Sequence, residues 1–384
     1  MYAFATTKIT ERRLQIALGL IWLLDGALQF QPYMFTKSFV RQILIASAQG
    51  NPGWVADPTT SIAHFLEPHI VAWNAVFATL QVAIGAGIIA GALTGRVRLL
   101  KVVLAGSFAW SLMVWWLSEG LGGILSGASP LMGAPGAVVL YLIIGLLLWP
   151  GNTGVPWRLP AKLGRSDEGS SQAKSGEVVA GTDDASRSGT GTLSGANMLE
   201  SSQGQVSSGL ISDRGARTIW AILWVFNGFL LLEPSNQMPQ AVSSAVTASA
   251  AGQPGWFHSL LVSTASIFHN TGSWVDSLLA VAMLLVGMGV AFHLHPRLMI
   301  AASVVISLFI WIFGEGLGGM LTGQGTDPNS GLLLVLLAGC LWVRTVSRAV
   351  RYGTAEVALA RSNVRTGVHD EVHAGTYEGV GSSL

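Results

Sequence analysis

Eight apolar blocks punctuate the chain, at about 14–31, 69–94, 98–118 and 134–149, and again at about 216–233, 272–294, 298–314 and 330–345. A helix needs about 20 residues to cross the hydrocarbon core of a bilayer, and most of these blocks approach or exceed that length. The pattern predicts an all-α integral membrane protein built as two tandem four-helix transmembrane bundles. The first four-helix unit occupies 1–150 and the second 214–351. Between them, 151–213 is rich in Gly, Ser and scattered charges. Such a segment buries too little apolar surface to offset its ordering entropy, so it reads as a disordered linker, and 352–384 reads as a flexible tail.

The two units repeat one another. Trp22-x3-Gly26 matches Trp224-x3-Gly228, Pro32 matches Pro234, Asn51-Pro-Gly-Trp54 matches Gln253-Pro-Gly-Trp256, and Gly85 matches Gly287, all 202 residues apart. The offset then falls to 196, as a turn six residues shorter between the second and third helices would produce. Beyond it, Trp115-x3-Glu119-Gly-Leu-Gly-Gly matches Trp311-x3-Glu315-Gly-Leu-Gly-Gly. Shared apolar composition would not keep Trp, Pro and Glu in step, so the units are a duplication.

Charge fixes an expected orientation. Lys8, Arg12 and Arg13, then Arg96, Arg98 and Lys101, then Arg158, Lys162 and Arg165 fall on one side of the first unit. Arg214, Arg217, Arg297, Arg344, Arg348 and Arg351 fall on the same side of the second. The opposite side carries Lys37 and Arg41 alone. The positive-inside rule places both termini and the linker in the cytoplasm of a multi-pass protein of the cytoplasmic membrane. Four helices per unit is an even number, so the repeats run parallel rather than inverted.

Composition agrees with this. The chain is 51% hydrophobic and 11% charged, against about 25% charged for an ordinary soluble domain. A formal net charge of +1 gives no reason to expect a nucleic-acid partner. The single cysteine, Cys340, excludes an internal disulfide, a CxxC pair and a cysteine zinc site. No small-residue cleavage site follows the first block, which reads as a retained helix rather than a signal peptide. The outer stretch Met34–Ala48, with Phe35, Phe39, Ile43 and Ile45 near one face, is expected to form an interfacial helix lying on the outer leaflet, with Trp54 and Trp256 at headgroup level. The alternative is an ordered loop packed on the bundle.

Polar residues inside the apolar blocks are the candidate chemistry. Asp25 lies 12 residues beyond Arg13, roughly 18 Å along a helix. That puts it in the outer half of the hydrocarbon layer, where an unpaired carboxylate costs several kcal/mol. Its repeat mate is Asn227. On the second helices the pair is Asn74 and Asp276, and after the third helices it is Glu119 and Glu315. Each Glu stands 18 residues, roughly 27 Å, beyond a basic residue, at the outer boundary. Asp25, Asn74 and Glu119 form one candidate polar cluster, and Asn227, Asp276 and Glu315 the other. Each is a site for a proton, a cation or a polar head group, or else hydrogen-bonded glue between helices. The Gly-Leu-Gly-Gly after each Glu forms either an anion nest or a tight turn. His64, His69, His258 and His269 on the outer side occupy non-equivalent positions, so no metal site is expected. No buried axial His is expected for a haem.

The Gly-rich first helix, Leu18-Gly-Leu-Ile-Trp-Leu-Leu-Asp-Gly26, opening a four-helix unit resembles the DoxX/DoxD-like family of bacterial membrane proteins. The resemblance covers both units but not the linker, and transfers no functional residue. It implies a quinone-linked or redox-partner role. Apart from that quinone, no cofactor is expected, and the expected partners are the lipid bilayer and other membrane or envelope proteins. Three readings of function follow in order: a membrane subunit or scaffold of a redox or envelope complex, a transporter or ion pathway using the carboxylates, and a quinone-linked oxidoreductase subunit.

Overall fold

A computed structural model describes residues 2–151 and 210–346, except 270 and 272. Most of the expected linker and all of the expected tail lie outside the described residues. Every regular element among the described residues is helical. In the first repeat α1 (Tyr2–Gln29) ends where Pro32 opens a 3₁₀ turn. Then α2 (Lys37–Phe39) runs through a π-helical stretch, Val40–Leu44, into α3 (Ile45–Ser47). Next come α4 (Gly53–Leu66), α5 (Ile70–Thr94), α6 (Val97–Leu117) and the short α7 (Ala137–Leu147). The second repeat supplies α8 (Asp213–Leu231), α9 (Ala241–Ser249), α10 (Gly255–Ile267), α11 (Trp274–Ala291), α12 (Pro296–Phe309) and α13 (Asn329–Val346).

Among the described residues, five helical runs are long and apolar enough to cross a membrane: Gly53–Thr94, Val97–Leu117, Trp274–Ala291, Pro296–Gly314 and Asn329–Val346. The blocks at 14–31, 134–149 and 216–233 are also helical, as α1, α7 and α8, but fall outside that set. Leu80, Val102, Leu112, Ile222, Leu278, Val281 and Val305 are all exposed on the helices. Apolar side chains standing outward in such numbers fit a lipid-facing belt better than a water-facing surface.

In each repeat the first long helix packs against the second through glycine. A side chain on Gly26 of α1 would strike Val82 and the Ala78 carbonyl of α5, and one on Gly85 would strike the Gly19 carbonyl. In the second repeat Gly228 meets Leu284 and the Ala280 carbonyl, and Gly287 meets Val225 and the Ala221 carbonyl. Small residues let helix backbones close on one another where lipid offers no hydrophobic gain for association.

The connection between α1 and α4 is helical and packed. Met34, Phe39, Val40 and Leu44 bury themselves against Ala63, Leu66 and Ile70, so the Met34–Ala48 stretch is a packed cap on α4 and α5. The stretch is helical from Lys37 to Ser47, as an interfacial helix would be, and it packs on the bundle, as the alternative had it. The helices that follow the Pro-Gly-Trp turns, α4 and α10, were not anticipated, although Val55, Thr59, Ala63 and Leu66 recur at helical spacing and are buried. Trp54 and Trp256, at the first turn of α4 and α10, are 60% and 68% exposed, as membrane-surface anchors would be.

The repeats share one apolar interior, in which Trp22, Ile88, Leu104 and Tyr141 join Trp220, Trp224, Met283 and Leu333. At the basic end, Arg344 donates to the Leu147 carbonyl at 2.7 Å and to the Ile211 carbonyl at 3.0 Å, satisfying a carbonyl in the last turn of α7. At the other end, Leu131 abuts the backbone of Gly314, and Asn329 abuts Gly133.

Candidate functional site

Each repeat builds the same corner around its conserved-register Glu. The four residues Gly120, Leu121, Gly122 and Gly123 all have positive φ, as do Gly316, Leu317, Gly318 and Gly319. Four consecutive left-handed residues make one left-handed turn, which a β-carbon at most of these positions would oppose. The amides of Gly122 and Gly318 donate back to the Glu119 and Glu315 carbonyls, both at 2.9 Å. The motif is therefore a tight turn, closed by these amides and by that of Gly123, which donates to the Gly120 carbonyl at 3.3 Å.

The turn points each Glu side chain at the start of the repeat's last helix. Glu315 accepts the Gly331 N–H at 2.9 Å and the Ser330 hydroxyl. Glu119 accepts the equivalent Val138 and Ala137 N–H groups. The unpaired amides and positive end of a helix N-terminus suit a carboxylate. Trp115 and Trp311 fix the same corner, each donating at 2.8 Å to the carbonyl of Pro135 or Pro328. Asn51 and Gln253, from the Pro-Gly-Trp turns, donate to the Ser47 and Ser249 carbonyls, and Gln253 also to the Gly316 carbonyl at 2.9 Å.

Both Glu residues lie just past the ends of the apolar runs Val97–Leu117 and Pro296–Gly314. Burial pushes Glu119 up to about 8, and the negative charge of Asp327 adds to the shift. Burial pushes Glu315 up to about 7 against the Ser330 and Gly331 hydrogen bonds, which pull it down.

The remaining candidates do not divide evenly between repeats. Asp25 is 2% exposed and lies within electrostatic reach of Asp327 and Glu119, with the Tyr141 hydroxyl beside it. Yet Asp25 Oδ1, Glu119 Oε2 and the Tyr141 hydroxyl close no hydrogen bond of proper geometry. Asn74 is fully buried and donates to the Gln29 carbonyl at 2.7 Å, tying α5 to the end of α1 one turn beyond Asp25. Asn227 donates to the Leu223 carbonyl of its own helix. Asp276 is buried in the first turn of α11, with one oxygen unpartnered.

Asp327 is the residue that reading the sequence missed. It sits in the connection before α13, accepts the Asn329 N–H at 2.7 Å and the Thr326 hydroxyl at 2.7 Å, and reaches the first repeat's carboxyl groups. Its repeat mate is the uncharged Ala134, so a search for shared residues passed over it. The Asp-Pro-Asn-Ser run ahead of an apolar block was the available signal. The result is one neighbourhood of acidic groups, Asp25, Glu119 and Asp327, drawn from both repeats. Among the described residues no group of three or more His, Cys, Asp or Glu side chains is arranged to hold a metal ion. No family model, no curated protein and no solved structure matches this chain.

Proposed function

We propose that the chain is an eight-span protein of the cytoplasmic membrane, with both termini in the cytoplasm, that passes protons or a small cation by way of the carboxyl groups in its outer half. One observation carries this reading: the buried Asp25 lies within electrostatic reach of Glu119 and Asp327, with Glu119 Oε2 unpartnered and Asp25 Oδ1 facing only the Tyr141 hydroxyl. Buried ionisable groups in membrane helices are costly and are kept mainly where ions or protons travel. The resemblance of the first helix to the DoxX/DoxD-like family would imply the same setting, a bacterial cytoplasmic membrane.

Two measurements test it. Purified protein in liposomes, given an inward pH or Na⁺ gradient, collapses the gradient faster than empty liposomes. Asp25→Asn abolishes that flux while keeping the wild-type thermal midpoint. Wild-type flux equal to that of empty liposomes overturns the proposal. For orientation, Ser61→Cys on α4 is labelled by an impermeant maleimide added to intact cells, and Thr94→Cys at the end of α5 only after lysis. The reverse pattern contradicts a cytoplasmic N-terminus.

A second reading, a membrane subunit or scaffold, draws on the outer helices. Trp54 and Phe65 of α4 and Trp256 and Ile267 of α10 are all at least 60% exposed on the side of the carboxyl cluster. They offer an apolar surface to lipid or to a partner subunit. Recovery of one stoichiometric partner from native membranes, together with no flux, would favour it.

A further inference from the structure

The first repeat holds a set of buried polar atoms that the second repeat has largely lost. Glycine contacts fix how its helices line up. Gly26 of α1 against Val82 and Ala78 of α5 sets Asp25 level with Gln81. Gly87 and Gly91 of α5 against Val103 and Leu100 of α6 set Gln81 level with the turn Ser107–Ser111. Gly145 of α7 against Phe108 of α6 sets Tyr141 level with Ser111. Trp22, one turn from Asp25, meets the Tyr141 ring at 4.5 Å between centroids.

These six side chains, Trp22, Asp25, Gln81, Ser107, Ser111 and Tyr141, are all buried, so they face the bundle interior and not its lipid side. Trp22 Nε1, Gln81 Oε1 and both serine hydroxyls are unpartnered, while Asp25 Oδ1 and Tyr141 Oη face only each other, in a contact that falls short of good hydrogen-bond geometry. Buried polar atoms in folded proteins are nearly all hydrogen-bonded, by water where protein does not reach. The set mixes an obligatory donor, the indole N–H, with acceptors and with hydroxyls that do both. A bare cation satisfies the acceptors and opposes the indole N–H, whereas water satisfies all of them.

In the second repeat the matching positions are Trp224, Asn227, Met283, Ser303, Ser307 and Leu334. Met283 and Leu334 fill the places of Gln81 and Tyr141. The Ser303 and Ser307 hydroxyls donate to the Ile300 and Ser303 carbonyls of their own helix. Trp224 Nε1 and Asn227 Oδ1 stay unpartnered, but none of these six positions carries an ionisable side chain; the buried Asp276 of this repeat matches Asn74 instead.

We infer that the first repeat alone holds a hydrated chamber in which Asp25 takes up and releases a proton, and that the second repeat is its structural copy. For its use in transport this rests on the proton-conducting reading above, but the chamber itself does not. The charged or titratable groups facing Asp25 are Tyr141 from α7, Glu119 from the α6–α7 connection and Asp327 from the α12–α13 connection, and none is a cation. Gln81 from α5 and Trp22 on α1 are neutral. A buried carboxylate without a cation is neutralised most cheaply by a proton. Hydronium entering from the outer side gives its proton to Asp25 Oδ1 and is left as water, and the reverse step regenerates it.

Infrared difference spectroscopy of the full-length protein in bilayers tests this. A carboxylic-acid C=O band is expected that Asp25→Asn removes and that shifts on transfer to D₂O. The double variant Gln81→Met/Tyr141→Leu, which borrows the second repeat's own residues, keeps the thermal midpoint and loses the D₂O shift. If that variant does not fold, Ser107→Ala/Ser111→Ala is read in its place, with the same expectation. No Asp25 band, a band that does not exchange, or exchange untouched in the folded variant overturns the inference. Loss of the band on adding Na⁺ at constant pH overturns the proton in favour of a cation. An exchanging band in a protein without flux sinks the transport reading and leaves the chamber standing.

Discussion

At the scale of single residues, Glu119 and Glu315 are helix-capping carboxyls before they are anything else. Each meets the amides that begin the last helix of its repeat, and Glu315 also takes the Ser330 hydroxyl. Removing such an acceptor strands buried donors, at a cost of about 1–3 kcal/mol. Glu119 also makes stability depend on pH. Its folded value of about 8 stands above its ordinary 4.5, so between these values the folded chain holds a proton that the unfolded chain has released. The contribution of this group is therefore complete below about 4.5 and lost as pH rises through about 8. Thermal midpoints of wild type and Glu119→Gln, compared from pH 5 to 9, are expected to diverge: the wild type loses more stability with rising pH, and the variant has the flatter profile. Parallel profiles would contradict a protonated Glu119.

At the scale of elements, the left-handed Gly-Leu-Gly-Gly turn decides where each Glu points. A β-carbon on Gly316 would meet the Ser249 carbonyl at 2.6 Å and the Gln253 amide at 2.7 Å, whereas one on Gly323, with φ of +76°, would meet nothing within 4 Å. Gly323→Ala is expected to cost about 1 kcal/mol of backbone strain. Gly316→Ala adds a clash with main chain to the same strain and is expected to lower the unfolding midpoint several times further. Equal midpoints for the two variants would mean that the turn yields more easily than its packing indicates. The motif was legible in the sequence as a break in the helix, and its glycines pointed to positive φ. That it closes as a turn and not as an anion nest was not legible, because either outcome needs the same glycines.

At the scale of the whole molecule, the two repeats form one body. Arg344 holds the Leu147 carbonyl, Leu131 sits on the Gly314 backbone, and the apolar interior runs through both units. A protease site inserted within 152–209 and cut after purification is expected to leave the halves co-eluting in mild detergent. Separation of the halves would show that the contacts between repeats are too weak to hold without the connecting chain.

The sequence by itself determined the helical class, the matched positions of the two halves and the polar positions worth watching. Periodic apolar runs and a constant offset between matched residues are local properties, and they survive in a one-dimensional string. It also singled out Asp25 as costly, since distance along a helix converts directly to depth. Only the tertiary structure decided which polar groups meet. Asp25 finds Asp327 from the other repeat, while Asn74 and Asn227 bond backbone carbonyls nearby. Those outcomes depend on how one helix is rotated and registered against the next. Glycine contacts at Gly26, Gly87 and Gly145 fix that registration, and the repeat alignment places equivalent residues without placing neighbours.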